Sequence, residues 1–249
     1  MQDYLEFQKG TIPLIISVPH GGTLECENIP KRSHGILGID GETVEIAKEL
    51  MGLIKTNFRE QNFKLKFPSY IISKVRRSKI DLNRDETEAF NPSSVIAREI
   101  YISYHNKLRE FVIDNLKLFN RSLLIDIHGF EKDKRPQGFR DVDIILGTNN
   151  LESFFSEPLL KIDWGNNIRG KIIQKFIDLG ISIAPGHPKR REYVLTGGYI
   201  TKNYGASQIP KSQAIQIEFS DRIRIKDHKM REIVLNALAN TLVRNLLEI

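Results

Sequence analysis

The sequence predicts an α/β fold, in which buried strands alternate with amphipathic helices. Three observations indicate this class. Short apolar runs end at turn residues, as expected of strands buried on both faces of a parallel sheet. Stretches with apolar residues at helical spacing separate several of these runs. The chain has 249 residues, of which 40% are hydrophobic, so it can bury one large core, and we predict a single domain over residues 1–249.

Six apolar segments are predicted as strands. The central one starts at Leu123 and ends with an acid, a histidine and a glycine, namely Asp126, His128 and Gly129. The other segments are apolar or β-branched and stop near glycine, proline or charged residues. The predicted strands are 12–18, 69–75, 123–130, 142–147, 181–184 and 214–219.

Four amphipathic stretches are predicted as helices, each with an apolar face that should point to the core. Asp40 is a candidate N-cap of the first helix, and Glu42 is an acid of its first turn. The predicted helices are 40–54, 94–119, 166–180 and 227–249.

The charge of the chain permits attraction to anionic substrates or to nucleic acid, because the formal net charge is +6. A basic nucleic-acid-binding domain is therefore one hypothesis, supported by the lysines and arginines within 74–84. The sequence has no basic arm, no CxxC pair and no interleaving of aromatic with basic residues. That hypothesis would also leave the histidines described below unexplained.

The cysteine content and hydropathy point to the cytoplasm. Cys26 is the single cysteine, which excludes an intrachain disulfide and is typical of a reducing compartment. No apolar stretch approaches the ~20 residues that a membrane span needs. The N-terminal residues lack the pattern of a signal peptide. We therefore expect a cytoplasmic protein without a membrane partner.

Two histidines stand at the ends of predicted strands. His20 lies in the glycine turn after 12–18, and His128 lies near the end of 123–130. Ligands of open α/β sheets bind beyond the carboxyl ends of the strands. Asp126 shares a strand face with His128 and could orient its imidazole as a metal ligand. Each histidine alone could be an ordinary turn or strand-end residue, but the pair favours a metal site to which Asp40 could add a carboxylate.

Further polar residues suggest a catalytic base and an anion-binding site. Glu218 lies near the end of the buried strand 214–219, where an unpaired carboxylate is costly, and it is the best candidate general base. Asn83 and Arg84 follow Asp81, which could hold the arginine fork for a substrate carboxylate. The glycine-rich stretch 196–201, with Gly198 and Tyr199, is either a plain turn or the lining of a pocket.

Taken together, these motifs resemble the N-formylglutamate amidohydrolases, which are relatives of the zinc carboxypeptidases. The resemblance implies a three-layer α/β/α sandwich with a mixed, mostly parallel central sheet, similar to that of zinc exopeptidases, and one Zn²⁺ ion. The motifs occur in the family's order from near residue 12 to near residue 222. They are 13–22, 77–84, 104–105, 124–128, 197–201 with 204–205, and 216–218.

The resemblance also implies a ligand set. His20 and His128 match the two histidine ligands of the family, and Asp40 matches the carboxylate ligand. Glu42 and Glu25 stay as alternatives to Asp40. Carboxypeptidases carry the glutamate three residues after the first histidine, and this chain has a threonine there. Two imidazoles and one carboxylate would leave a fourth zinc position open for water.

Other residues receive roles by the same resemblance. Asn83 and Arg84 match the pair that grips a substrate carboxylate, and Glu218 matches the carboxylate that activates water. Arg77 is a candidate second arginine for polarising the carbonyl or binding a carboxylate. Asp126 is expected to orient His128 from outside the ligand shell.

The expected function is that of a zinc-dependent amidohydrolase. Its substrate would be a small anionic N-acyl amino acid, of which N-formylglutamate is the family's namesake. A zinc peptidase or a deacylase of another anionic substrate is a close alternative. A binding protein that keeps the hydrolase fold without activity is a third hypothesis, since fold does not guarantee function.

Overall fold

A seven-stranded sheet forms the centre of the molecule. The computed structural model describes residues 2–63, 65–134 and 141–248. The strands are β1 (Leu5–Gln8), β2 (Leu14–Val18), β3 (Ser69–Ser73), β4 (Ser122–Phe130), β5 (Ile144–Gly147), β6 (Ile183–Ala184) and β7 (Ser212–Ser220). Their order in the sheet is β1-β3-β2-β4-β7-β5-β6. Four neighbouring pairs run parallel, whereas β1 with β3 and β5 with β7 run antiparallel. The predicted mixed, mostly parallel sheet is confirmed.

Helices cover both faces of this sheet. They are α1 (Thr43–Glu60), α2 (Glu86–Ala89), α3 (Val95–Phe119), α4 (Ile168–Asp178), α5 (Tyr199–Tyr204) and α6 (His228–Leu247). Apolar residues of α1, α4 and α6 form one buried cluster with strand residues such as Ile16 and Ile125. Residues of α2, α3 and α5 form a second cluster with Ile15 and Leu124. Successive residues of a strand point to opposite faces, so these clusters are the two layers of the predicted α/β/α sandwich.

The burial of β2 explains why the apolar runs predicted the fold. All five residues of this strand are buried, because helices lie on both sides of it. None of the helices in the described part of the chain combines the length and the apolar character that a bilayer span requires. The domain boundary 1–249 and the cytoplasmic location stay predictions.

Several details differ from the sequence prediction. β1 was not predicted, because only Leu5 of this short edge strand is fully buried and the apolar pattern is weak. The glycine-rich stretch does not remain a loop, since residues 199–204 form α5. The prediction of Asp40 as an N-cap is wrong: α1 begins at Thr43, and Glu42 occupies the cap position in a left-handed conformation without a side-chain cap.

The sheet topology places the candidate residues at one edge. β2, β4 and β7 are adjacent parallel strands at the centre of the sheet, so their carboxyl ends lie together. Within β4 and β7, His128 pairs in register with Glu218. His20 follows the end of β2 by two residues. The fold therefore brings both histidines and the candidate base to the same side of the sheet.

Candidate metal centre

His20 presents one free ring nitrogen in a buried position. The residue is 1% exposed, and its Nε2 lies 2.6 Å from Asp81 Oδ1. A carboxylate can only accept a hydrogen bond, so Nε2 carries a proton, and in the neutral imidazole the lone pair is then on Nδ1. That Nδ1 is buried without a hydrogen-bond partner and lies 3.5 Å from Asp40 Oδ2. A lone pair facing a carboxylate is stabilised by a cation between the two groups.

His128 repeats this arrangement on the neighbouring strand. Its Nε2 lies 2.8 Å from Asp126 Oδ2, and its Nδ1 lies 3.2 Å from Asp40 Oδ2. Asp126 is itself held by Ser17, whose hydroxyl donates to Oδ1 at 2.7 Å. Burial alone would lower the pKa of His128, but the charge of Asp126 and the hydrogen bonds to both carboxylates raise it. Because of this raised pKa, the imidazole of His128 holds its second proton more firmly. A divalent cation bound at Nδ1 would replace that proton.

Asp40 is fixed between the two imidazoles by its own backbone and by the end of β4. Its backbone N–H donates to the carbonyl of His20 at 3.0 Å, and Thr43 Oγ1 donates to its carbonyl at 2.6 Å. The backbone N–H of Gly129 donates to Asp40 Oδ2 at 3.2 Å. Burial would raise the pKa of Asp40, but its contacts with His128 and His20 hold the pKa well below the usual range. The carboxylate is therefore ionised.

These three side chains could hold a metal ion. One ligand atom from each of His20, Asp40 and His128 lies within 4.8 Å of the others, and all three residues are buried. Two imidazole nitrogens and one carboxylate oxygen form a common donor set for catalytic zinc. Each imidazole also holds a carboxylate on its second nitrogen, as ligating histidines usually do. The Nδ1 of His20 is the most direct indication of a cation site, because it is buried without a hydrogen-bond partner.

The two alternative carboxylates lie away from this cluster. Glu42 is 47% exposed in its side chain and lies 3.5 Å from Arg231. Glu25 has a 51% exposed side chain and pairs with Arg76. The structure thus brings Asp40, and neither alternative, to the two histidines.

Glu218 lies beside the cluster on the adjacent strand. It is opposite His128 in the parallel register, and its Oε1 accepts a hydrogen bond from Gln216 Nε2 at 2.8 Å. Burial is the largest influence on this carboxyl group and raises its pKa, while the Gln216 donor acts in the opposite direction. A carboxylate with a raised pKa is suited to accept and return a proton near neutral pH.

Asn83 connects the cluster to the segment before α5. Its Nδ2 lies 3.2 Å from His128 Nε2, and its Oδ1 accepts from the backbone N–H of Ile200 at 2.8 Å. A Cβ on Gly198 would lie 2.6 Å from Asn83 Oδ1, so only glycine permits this close approach. The Gly198 N–H donates to Gln216 Oε1 at 2.6 Å. Gly198 therefore borders the cluster, whereas the Tyr199 ring packs edge-on against His105.

Three arginines surround the carboxylate that supports His20. Asp81 lies 3.1 Å from Arg77 Nε and 3.5 Å from both Arg32 Nη1 and Arg84 Nε. Arg77 also lies 3.4 Å from Asp40 Oδ1. Burial would raise the pKa of Asp81, but the charge and hydrogen bond of His20 and the neighbouring arginines hold it well below the usual range. The candidate anion-binding residues are thus connected to the metal cluster through shared carboxylates.

Sequence reasoning missed several members of this site. Asp81 was predicted to hold Arg84, and that contact exists, but its short hydrogen bond to His20 was not foreseen. Arg32 was given no role, and Gln216 was named only as part of the motif 216–218. Arg32 is remote in sequence from its partner Asp81, and no local spacing marks it. Gln216 lies two residues before Glu218 on the same strand, so strand alternation is the signal that could have identified it.

Comparison with known proteins gives similarity in structure but not in sequence. No protein-family model matches the sequence, and no curated protein is similar to it in sequence. Among solved structures, an N-formylglutamate amidohydrolase from Ralstonia eutropha superposes with a TM-score of 0.63 at 13% identity, covering 97% of this chain and 96% of that one. A gene product from Agrobacterium tumefaciens gives a TM-score of 0.59 at 13% identity, covering 98% of this chain and 94% of that one.

These likenesses extend over nearly the whole of each chain. At 13% identity they establish the fold. The fold is the one that the ordered motifs predicted, and the resemblance to N-formylglutamate amidohydrolase is confirmed at this level.

Proposed function

We propose that this chain is a zinc-dependent amidohydrolase that cleaves the amide bond of a small, anionic N-acyl amino acid similar to N-formylglutamate. The observation that carries the proposal is the buried cluster of His20, Asp40 and His128, in which a second carboxylate occupies Nε2 of each imidazole. The fold shared with an N-formylglutamate amidohydrolase supports the same class of reaction.

Different residues of the site have different roles in the proposed amide hydrolysis. The Nδ1 atoms of His20 and His128 and the carboxylate of Asp40 would hold the zinc ion, which when bound would supply a Lewis acid for water and for the carbonyl. Glu218 accepts the proton of the attacking water and delivers it to the departing amine, so that the C–N bond breaks without releasing an amide anion. Arg77, 12% exposed in its side chain, stabilises the negative oxygen that develops on the carbonyl.

The arginines favour an anionic substrate. The Arg84 side chain is 38% exposed, with Asp81 3.5 Å from its Nε and Glu88 3.3 Å from its Nη1. The Glu88 side chain is 55% exposed, so a substrate carboxylate could replace it on the guanidinium while Asp81 keeps its place. A planar guanidinium binds a carboxylate through two parallel hydrogen bonds. Asn83, the residue before Arg84, holds the Gly198 segment through the backbone N–H of Ile200. A free carboxylate on the amino-acid part of the substrate suits this site.

The same contacts weaken the nucleic-acid hypothesis. Arg76, Arg77 and Arg84 of the basic stretch 74–84 are each engaged with a carboxylate of this chain. A phosphate backbone would have to compete with these ion pairs. The stretch therefore supports a local anion site better than an open basic surface.

Metal removal is the direct test of the proposed function. Purified protein should contain about one zinc ion per chain and hydrolyse N-formylglutamate or another N-acyl amino acid. A chelator should abolish hydrolysis, and added zinc should restore it. The matched substrate is the same N-acyl amino acid with its α-carboxylate converted to an amide, which should be hydrolysed more slowly. Hydrolysis by chelated protein that contains no metal would contradict the proposal. Faster cleavage of peptides, or of substrates with longer acyl chains, than of N-formylglutamate would favour the peptidase or deacylase alternative.

The acid limb of the pH profile should depend on Gln216. Glu218 must be ionised to accept a proton, so kcat/KM falls as pH drops through its pKa. Gln216 stabilises the ionised form, and its removal in Gln216→Met should raise that pKa further. A lost hydrogen bond to a charged group corresponds to roughly one pKa unit, so the acid limb should move to higher pH by about that amount. An unchanged acid limb, or one that moves to lower pH, would assign the limb to another group.

A further inference from the structure

Arg224 is a buried cation beside the metal cluster with an unusual set of partners. It is 2% exposed and lies in a π-helical turn, Arg222–Lys226, directly after β7. Its guanidinium donates to three backbone carbonyls, those of Phe219 at 3.0 Å, Phe130 at 3.1 Å, and Gly41. Within the described residues, no carboxylate lies at ion-pair distance from it. The guanidinium is therefore held by hydrogen bonds to the backbone and not by a salt bridge.

The three carbonyls belong to the three segments that build the site. Phe219 follows Glu218 on β7, and Phe130 lies two residues after His128 on β4. Gly41 follows Asp40 in the connection to α1. One side chain thus connects the backbones that carry the candidate base, one histidine ligand and the carboxylate ligand.

Gly129 makes room for this guanidinium. A Cβ at Gly129 would lie 2.7 Å from both Cδ and Cζ of Arg224, which is closer than side chains approach one another. Gly129 lies within β4, one residue before the end of the strand. Its backbone N–H meanwhile donates to Asp40 Oδ2 at 3.2 Å. Gly129 therefore contacts both the Arg224 guanidinium and the Asp40 carboxylate.

The turn that carries Arg224 is itself held in place. Arg231 Nη1 donates to the Arg224 carbonyl at 2.9 Å, and Arg231 also pairs with Glu49 of α1 at 2.8 Å. A π-helical turn is an uncommon conformation that often occurs at functional sites. Here the π-helical turn directs Arg224 back toward the carboxyl ends of β4 and β7, where it contacts the backbone of Phe130 and Phe219.

We infer that Arg224 is a positioning residue, which holds the Asp40 segment against β4 so that the carboxylate faces both imidazoles. This inference rests on the proposed zinc site. The charge of Arg224 cannot be its contribution to metal binding, because a guanidinium near a divalent cation repels it. Its contribution is the fork of donors, which a lysine cannot reproduce with a single ammonium group.

Two substitutions separate geometry from charge. Arg224→Lys keeps the charge and loses the fork, while Arg224→Gln loses both. If Arg224 positions Asp40, both variants should bind Zn²⁺ about 10- to 100-fold more weakly, as measured by competition with a chromophoric chelator. The visible absorption of bound Co²⁺ should also change, because it reports the ligand geometry. Unfolding of the metal-free proteins in denaturant measures stability separately.

Arg169→Lys is the matched control. Arg169 is fully buried and also donates to backbone carbonyls, those of Pro188 and Arg190, but it lies on α4 and pairs with Glu192. The control should lose stability and keep the zinc affinity and Co²⁺ spectrum of the unsubstituted protein. A similar loss of affinity in this control would show that general destabilisation explains the effect.

The remaining outcomes are decisive as well. Failure of the unsubstituted protein to bind zinc would reject the proposed function. Normal zinc binding by that protein and by both Arg224 variants would overturn the inference alone, and tighter binding by Arg224→Gln would show that charge dominates. If neither Arg224 variant folds, Gly129→Ala displaces the guanidinium while keeping the arginine. That variant should also bind zinc more weakly, and unchanged affinity in it would overturn the inference.

Discussion

Glu218→Gln should keep zinc and lose at least about 10²-fold in kcat, as expected when a general base is removed. Glutamine has nearly the same shape as glutamate, and Glu218 is not among the three residues of the metal cluster. The amide cannot take a proton from water, so hydrolysis loses the group that activates the nucleophile and protonates the amine. Steady-state kinetics together with metal analysis of the same sample measure both parts of this expectation.

A second glutamate controls for the substitution itself. Glu110→Gln changes an exposed side chain of α3 that pairs with Lys107, a residue that is not part of the metal cluster. This variant should turn over substrate at the normal rate. Near-normal turnover by Glu218→Gln would remove Glu218 from the mechanism, and loss of zinc from that variant would assign it to metal binding instead.

Asp40→Ala should abolish zinc binding and, with it, hydrolysis. The substitution removes the only carboxylate oxygen that lies within 3.5 Å of both Nδ1 atoms, as judged over the described residues. Loss of a residue that hydrogen-bonds to a metal ligand lowers metal affinity about 10- to 100-fold. Loss of the ligand itself should lower the zinc affinity by more than that. Chelator competition measures the affinity, and metal-free unfolding shows whether the protein remains folded.

The alternative carboxylates supply the matched controls for this experiment. Glu42→Ala and Glu25→Ala remove exposed side chains whose partners are Arg231 and Arg76. Both variants should bind zinc as the unsubstituted protein does. Retained zinc binding in Asp40→Ala together with its loss in either control would transfer the ligand role to that glutamate.

The parts of the site that the sequence could predict are those attached to regular strands. His20, His128 and Glu218 were identified because each follows or ends an apolar run, and the ends of neighbouring parallel strands meet at one edge. Asp126 was assigned to His128 by simple strand alternation, and the two side chains do form a hydrogen bond. The α/β class followed from the same runs, and the three-layer arrangement was implied by the resemblance of the motifs.

The supporting contacts could not be predicted, because they join segments that are remote in sequence. Asp81 meets His20 across 61 positions, and Arg224 meets Gly41 across 183. Both residues lie outside regular strands and long helices, where periodicity gives no direction for a side chain. Gly129 shows the same limit: the sequence displays a glycine, but the arginine that requires it becomes visible only in the folded chain.

The two candidate histidine ligands and the candidate base lie on β4 and β7 or just after β2, and these are the three innermost strands of the sheet. Amide hydrogens of such strands exchange with solvent only when the whole domain opens, whereas short outer strands such as β6 can open locally. Destabilising changes in the hydrophobic layers should therefore lower the fraction of molecules that are folded at any moment. Each molecule that remains folded would keep an intact arrangement of ligands, and its turnover number would be preserved.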